Sequence, residues 1–131
     1  MKFHTIHSLE DAYYQKAVEF YNKQLDVDFF EDSTITKRSL QNNKTENDYV
    51  LIVGIEKENI ISLATAHYEA TTNSAFLVHL LAVVDSNYNE IISQTLNEVE
   101  THLNILSNKV HSRDINFLMI EVPKHDNSIL D

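Results

Sequence analysis

The chain of 131 residues contains no cysteine. That excludes a disulfide framework, a thiolate nucleophile and a sulfur-ligated zinc site. It has one glycine and one proline. Glycine serves positive φ and close approach of backbone to a ligand, and the one available, Gly54, lies inside a strand pattern. No P-loop or nucleophile elbow can be built, and turns must lean on Asn, Asp and Ser. Basic side chains are scarce, 10 against 20 acidic ones, for a formal net charge of -10. That field disfavours nucleic acid and anionic membranes as partners and suits a basic or amine-bearing one. The N-terminus has no long apolar run. Neither a signal peptide nor a membrane span is expected there, and a cytoplasmic location is the default.

Hydrophobic residues make up 43% of the chain, enough for one domain with a core. Residues 2–6 alternate weakly as a short strand. Ser8 with Asp11 resembles an N-cap, and Ala12, Tyr14, Ala17, Val18, Tyr21 and Leu25 recur at helical spacing, predicting a helix over about 9–25. Ser33 or Thr34 can cap a second helix ending near Gln41. The β-branched run 49–56 suits a strand buried on both faces. Strands 60–70 and 75–84 follow, separated by turns at 56–59 and 71–74. Tyr88, Ile91, Ile92, Leu96, Val99, Leu103 and Leu106 mark a long helix over about 87–107, and 115–122 is a last strand stopped by Pro123. The expected organisation is a single domain, 1–123, with a polar tail at 124–131. Short loops make the three central strands an antiparallel meander, and the long helix allows the last strand to lie parallel to its predecessor.

This order, with the run Leu81-Ala82-Val83 feeding a loop and a helix and with the closing strand Phe117-Leu118-Met119-Ile120-Glu121-Val122, resembles the GCN5-related N-acetyltransferase (GNAT) superfamily. The resemblance covers nearly the whole chain in its succession of elements. It implies an α+β fold, a mixed and mostly antiparallel sheet flanked by helices, acyl-CoA N-acyltransferase-like, in the order β-α-α-β-β-β-α-β. It implies acetyl-CoA as cofactor, with the backbone of Leu81, Ala82 and Val83 pairing with the pantetheine arm. The family's pyrophosphate motif, Arg or Gln followed by two spaced small residues, is absent. Tyr88, Ile91 and Ser93 stand roughly where it is expected, with Asn89 between them. Asp85 and Glu90 can satisfy the N–H groups of that helix start and cancel its positive end. Weak or absent coenzyme A binding is therefore expected. The family usually continues past the strand at 115–122 with a helix and two more strands, so the resemblance implies a truncated member or a sheet completed by another chain.

Acetyl transfer to an amine needs a base and donors for the oxyanion. His79 lies close to where the family often places its base, and a histidine titrates near neutrality. Its plainer reading is a strand histidine satisfied by a hydrogen bond. His67 and His79 flank one turn, and their register decides whether they meet or lie on opposite faces. With Glu69 they make a poor metal signal, as does the pair His4 and His7, and no metal is expected. Phe29, Phe30, Tyr13 and Tyr14, beside the acids Asp26, Asp28, Glu31 and Asp32, can line an acceptor cleft or be packing and a solvated loop. Two functions follow: a divergent N-acetyltransferase moving an acetyl group from acetyl-CoA to a small amine or basic acceptor, or a non-catalytic GNAT-like binding or dimerisation module. An uncovered last strand suggests a homodimer.

Overall fold

The computed structural model describes residues 1–25 and 48–120. The expected second helix, the acidic connector and the polar tail lie outside them. The elements are β1 (Lys2–Thr5), α1 (Tyr14–Leu25), β2 (Asp48–Glu56), β3 (Asn59–Glu69), β4 (Ser74–Ala82), α2 (Tyr88–His111) and β5 (Phe117–Ile120). The five strands form one sheet in the order β1-β2-β3-β4-β5. The first four pair antiparallel and β5 joins β4 in parallel. The meander, the crossover and the parallel last strand are thus as expected. Among the described residues no helix is long and apolar enough to cross a membrane.

Alternation along the strands makes two cores. Leu51, Val53, Ile55 and Leu63 pack with Ala17, Phe20 and Tyr21 of α1 on one face. Val50, Ile52, Ala64, Ala66 and Leu77 pack with Val99 and Leu103 of α2 on the other. Both faces of β2 are covered, which is why its sequence is a continuous apolar run. Val99 and Leu103 are fully buried, and each contributes about 1.5–3 kcal/mol of transfer free energy.

Helix α1 starts five residues later than its apolar spacing predicts. The Ser8 hydroxyl accepts only the Glu10 N–H, at 3.3 Å, while its carbonyl accepts the Asp11 N–H at 3.3 Å. Asp11 holds the start instead: its Oδ1 accepts the Tyr13 N–H at 2.8 Å and its Oδ2 lies 2.7 Å from His4 Nε2. The local Asx turn wins over helical continuation.

Gly54 has ordinary φ; it supplies room, since a Cβ there would meet Ser62 Oγ, Met1 Sδ and Phe3. Left-handed backbone falls to Lys57, Glu58, Asn73 and Ser112, with φ of 52°, 69°, 48° and 58°. Asn and Ser were expected in such places; Lys57 and Glu58 were not. Together they form the two-residue β2–β3 hairpin, a position that favours Asn-Gly. Glu58→Gly is expected to stabilise the protein by about 0.5–1 kcal/mol, read as a rise in the urea midpoint at unchanged slope. A lower midpoint would mean that Glu58 makes contacts outweighing its backbone cost.

Candidate active site

A bulge in β4 sets up the site. Thr65 pairs with His79, but the next β3 residue, Ala66, pairs with Leu77, leaving Val78 as the extra residue. Ala75 and Leu77 belong to the α2 face. The extra residue reverses the phase of the strand, so His79 and Leu81 turn to the α1 face, where Leu81 joins that core. Without the bulge His79 would point at α2.

On the α1 face His79 is held at both ring nitrogens. Nδ1 lies 2.8 Å from Thr65 Oγ1 and Nε2 lies 3.0 Å from the Tyr21 hydroxyl. The Tyr21 ring also meets the imidazole edge-on, with centroids 4.8 Å apart. A neutral imidazole donates from one nitrogen and accepts at the other. Either Nδ1–H donates to Thr65 while Tyr21 donates to Nε2, or Nε2–H donates to Tyr21 while Thr65 donates to Nδ1. In both arrangements the ring is half-buried, with its orientation fixed from two sides.

Beside His79 the sheet opens. β5 pairs with β4 only from Ser74 to Leu77. From the bulge onward β4 has β3 on one side and no strand on the other among the described residues. Val83 N–H reaches Ile61 C=O at 2.9 Å, so by alternation the peptide groups of Leu80 and Ala82 point away from β3, into that opening. Ala82 is buried, while Val83 packs at the edge of the α1 core.

The chain then reaches α2. Of the two acids expected to blunt its N-terminus, only Asp85 does so with backbone. Asp85 Oδ1 accepts the Asn87 N–H at 2.8 Å and Asp85 C=O accepts from Tyr88 at 3.2 Å. Glu90 instead accepts from the Gln94 side chain at 3.3 Å. Tyr88, Asn89 and Ser93 are exposed around this end, whereas Ile91 is buried and turns inward. Of the residues predicted for the cofactor, Ala82 presents its peptide groups to the opening and Tyr88, Asn89 and Ser93 ring the helix end, whereas Leu81 and Val83 turn their peptide groups to β3, leaving that place to Leu80, and Ile91 turns inward.

Other candidates separate. His67 pairs with Phe76, one row from His79, and lies 3.8 Å from Glu69. His4 meets Asp11, while the His7 ring faces that of His102 at 6.2 Å. Among the described residues no three His, Asp or Glu side chains gather around a metal-sized space. Tyr14 is a core residue, 5% exposed, and burial followed by the neighbouring Tyr49 raises its phenol above the ordinary value. The Tyr13 ring meets that of His4 at a tilt of 53° and lies under Lys16. Neither lines a cleft at His79, and the remaining proposed cleft residues, Phe29, Phe30, Asp26, Asp28, Glu31 and Asp32, lie outside the described residues. Thr65 and Tyr21 were missed as site residues; in the sequence one is a β-branched strand residue and the other part of a helical apolar stripe.

No protein-family model and no curated protein matches the chain. Solved structures do. An aminoglycoside antibiotic 6'-N-acetyltransferase from Acinetobacter haemolyticus superposes with a TM-score of 0.71 at 12% identity, over 99% of this chain and 84% of that one. This chain has the GNAT acetyltransferase fold. A type Ii aminoglycoside 6'-acetyltransferase gives 0.64 at 9% identity, over 81% of this chain and 66% of that one. The ribosomal-protein-alanine N-acetyltransferase from Brucella melitensis biovar Abortus 2308 gives 0.56 at 14%, over 97% and 83%. The chain spans just under two thirds of the type Ii enzyme and 56% of a second 6'-N-acetyltransferase, from Enterococcus faecium.

Proposed function

We propose that the protein is an N-acetyltransferase that moves an acetyl group from acetyl-CoA to an amine. The observation that carries this reading is the parting of β4 from β5 beside His79, within the GNAT fold. The unpaired peptide groups of Leu80 and Ala82 can bond an amide-bearing arm as a further strand would. The α2 mouth fits the other end less well, because Asp85 places a negative charge where a pyrophosphate would sit. Acetyl-CoA supplies the acetyl group as an activated thioester. The ammonium first gives up a proton, its nitrogen then bonds to the carbonyl carbon, the carbon–sulfur bond breaks with its electron pair on sulfur, and coenzyme A leaves as the free thiol after sulfur takes the second proton of the nitrogen. His79 takes the first proton, either at Nε2 after Tyr21 swings away or through the Tyr21 hydroxyl, which passes its own proton to Nε2. The named structural neighbours act on aminoglycosides and on a ribosomal protein's alanine, and the -10 net charge supports a cationic acceptor here too.

Isothermal titration with acetyl-CoA tests the reading. Saturable micromolar binding, followed by amine-dependent release of free thiol, supports it; no heat at millimolar ligand would leave the second reading, a non-catalytic binding module, which Asp85 favours. Asp85→Asn keeps the acceptor for Asn87 N–H and removes the charge. It is expected to tighten acetyl-CoA binding about two- to fivefold at low salt and less at high salt. Unchanged affinity in both would place the pyrophosphate elsewhere. The outer edge of β5 has no strand partner among the described residues, and a second copy pairing there would give a homodimer, which light scattering would detect; a monomeric mass rejects it.

A further inference from the structure

One row of side chains crosses four strands on the α1 face of the sheet. Tyr49 pairs with His67, His67 with Phe76, and Phe76 with Met119. The row lies directly beside the row Leu51, Thr65 and His79. Unlike that row it is open: the His67 side chain is 43% exposed and Phe76 is 44% exposed. Beyond it, two residues further along β3, stands Glu69 at 40% exposure. Its carboxylate has only the 3.8 Å approach of His67 Nε2 among the described ion pairs. Read along β3, the face runs from the imidazole of His79, held by Thr65, across an exposed aromatic shelf, to a carboxylate.

We propose that this shelf is the acceptor site and that it takes a diamine with an apolar middle. The proposal rests on the acetyltransferase reading for its chemistry, but not for its binding. Four residues of strand separate Thr65 from Glu69, or about 13 Å of backbone. A single ammonium cannot serve both ends. One amine paired with Glu69 leaves a second amine, about eight carbons away by that strand rise, at the imidazole. The methylene chain or ring between them covers Phe76 and His67, removing exposed apolar surface from water. A phenyl face also attracts an adjacent ammonium. The shorter path, an amine reaching only from Phe76 to His79, would leave Glu69 unused and would not distinguish one amine from two.

Diaminooctane, diaminobutane and octylamine are the probes, titrated calorimetrically into the full chain. Diaminooctane is expected to bind about fivefold tighter than octylamine, by the worth of one partly exposed ion pair, and tighter than diaminobutane, which cannot span. Glu69→Gln should erase the advantage over octylamine. Phe76→Ala should weaken both eight-carbon probes about tenfold through lost apolar contact. Thermal melting of each variant checks that it folds. Equal affinities for diaminooctane and octylamine, an advantage that survives Glu69→Gln, or no saturable binding of any probe overturns the proposal. The expected binding pattern without acetyl transfer on adding acetyl-CoA would leave the diamine site standing and reject the enzyme reading. Transfer to diamines that is indifferent to Glu69 and Phe76 rejects the site alone.

Discussion

Replacing His79 by glutamine is expected to lower the rate of acetyl transfer about a hundredfold to a thousandfold, the usual worth of a positioned base. Acetyl-CoA affinity should stay within about twofold, because the proposed cofactor contacts use the backbone of Leu80 and Ala82. Glutamine can still reach Thr65 and Tyr21 with an amide, so packing is largely kept. What it loses is a ring nitrogen that can take up and release a proton. The measurement is steady-state turnover with any amine that the wild type accepts, paired with calorimetric cofactor binding. Turnover within threefold of wild type would remove His79 from the chemistry and leave it a strand histidine with two satisfied nitrogens.

The same geometry predicts how the proton travels. Nε2 is occupied by the Tyr21 hydroxyl at 3.0 Å. If the amine must displace Tyr21, Tyr21→Phe frees the nitrogen and turnover holds or rises. If Tyr21 relays the proton, Tyr21→Phe falls with His79→Gln, and the double variant is no worse than either single one, as expected of residues acting as one unit. Thr65→Val separates orientation from proton transfer. It removes the partner of Nδ1 at 2.8 Å, so the ring loses one of the two contacts that fix its orientation and the pH profile of turnover changes shape. A purely structural role for Thr65 would lower stability and leave that profile alone.

The order of elements was legible because long-range burial leaves a short-range mark. The run from Tyr49 to Ile55 had to be a doubly covered strand, and the seven apolar positions from Tyr88 to Leu106 had to be a helix. The parallel placement of β5 followed from the length of that helix. The site was half legible. His79 stands out for its chemistry and for lying where the GNAT resemblance often places a base, but its face depends on the extra residue at Val78, and nothing in Leu77-Val78-His79-Leu80 marks a bulge. Its partners were invisible for another reason: Tyr21 is 58 residues away in sequence and looks like any member of an apolar stripe. The hairpin at Lys57 and Glu58 also went against its local signal, because the pairing of β2 with β3 overrides turn preference.

Asn73→Ala is expected to cost about 3 kcal/mol and lower the melting temperature by roughly 10 °C. Asn73 is 1% exposed, with a φ of 48°. Its Oδ1 accepts from the buried Tyr68 hydroxyl at 2.7 Å and lies 2.6 Å from Ser107 Oγ on α2. Ser107 also lies 2.5 Å from the Arg113 carbonyl, and its single proton can serve only one of these at a time. Asn73 Nδ2 donates to Asp114 C=O at 3.0 Å, and its own carbonyl accepts the Asn116 N–H at 2.7 Å, one residue before β5 begins. Alanine would strand the Tyr68 hydroxyl and the Asp114 carbonyl and would itself sit poorly in left-handed backbone. Asn73→Gly separates these causes, since it relieves the backbone and should recover about 1 kcal/mol. The functional consequence follows from position. This cluster fixes where β5 meets β4, and so how far the two strands run together before they part at the bulge beside His79. A loss under about 1 kcal/mol in Asn73→Ala, read by urea unfolding, would mean that the β4–β5 ladder holds itself and that the bulge alone opens the site.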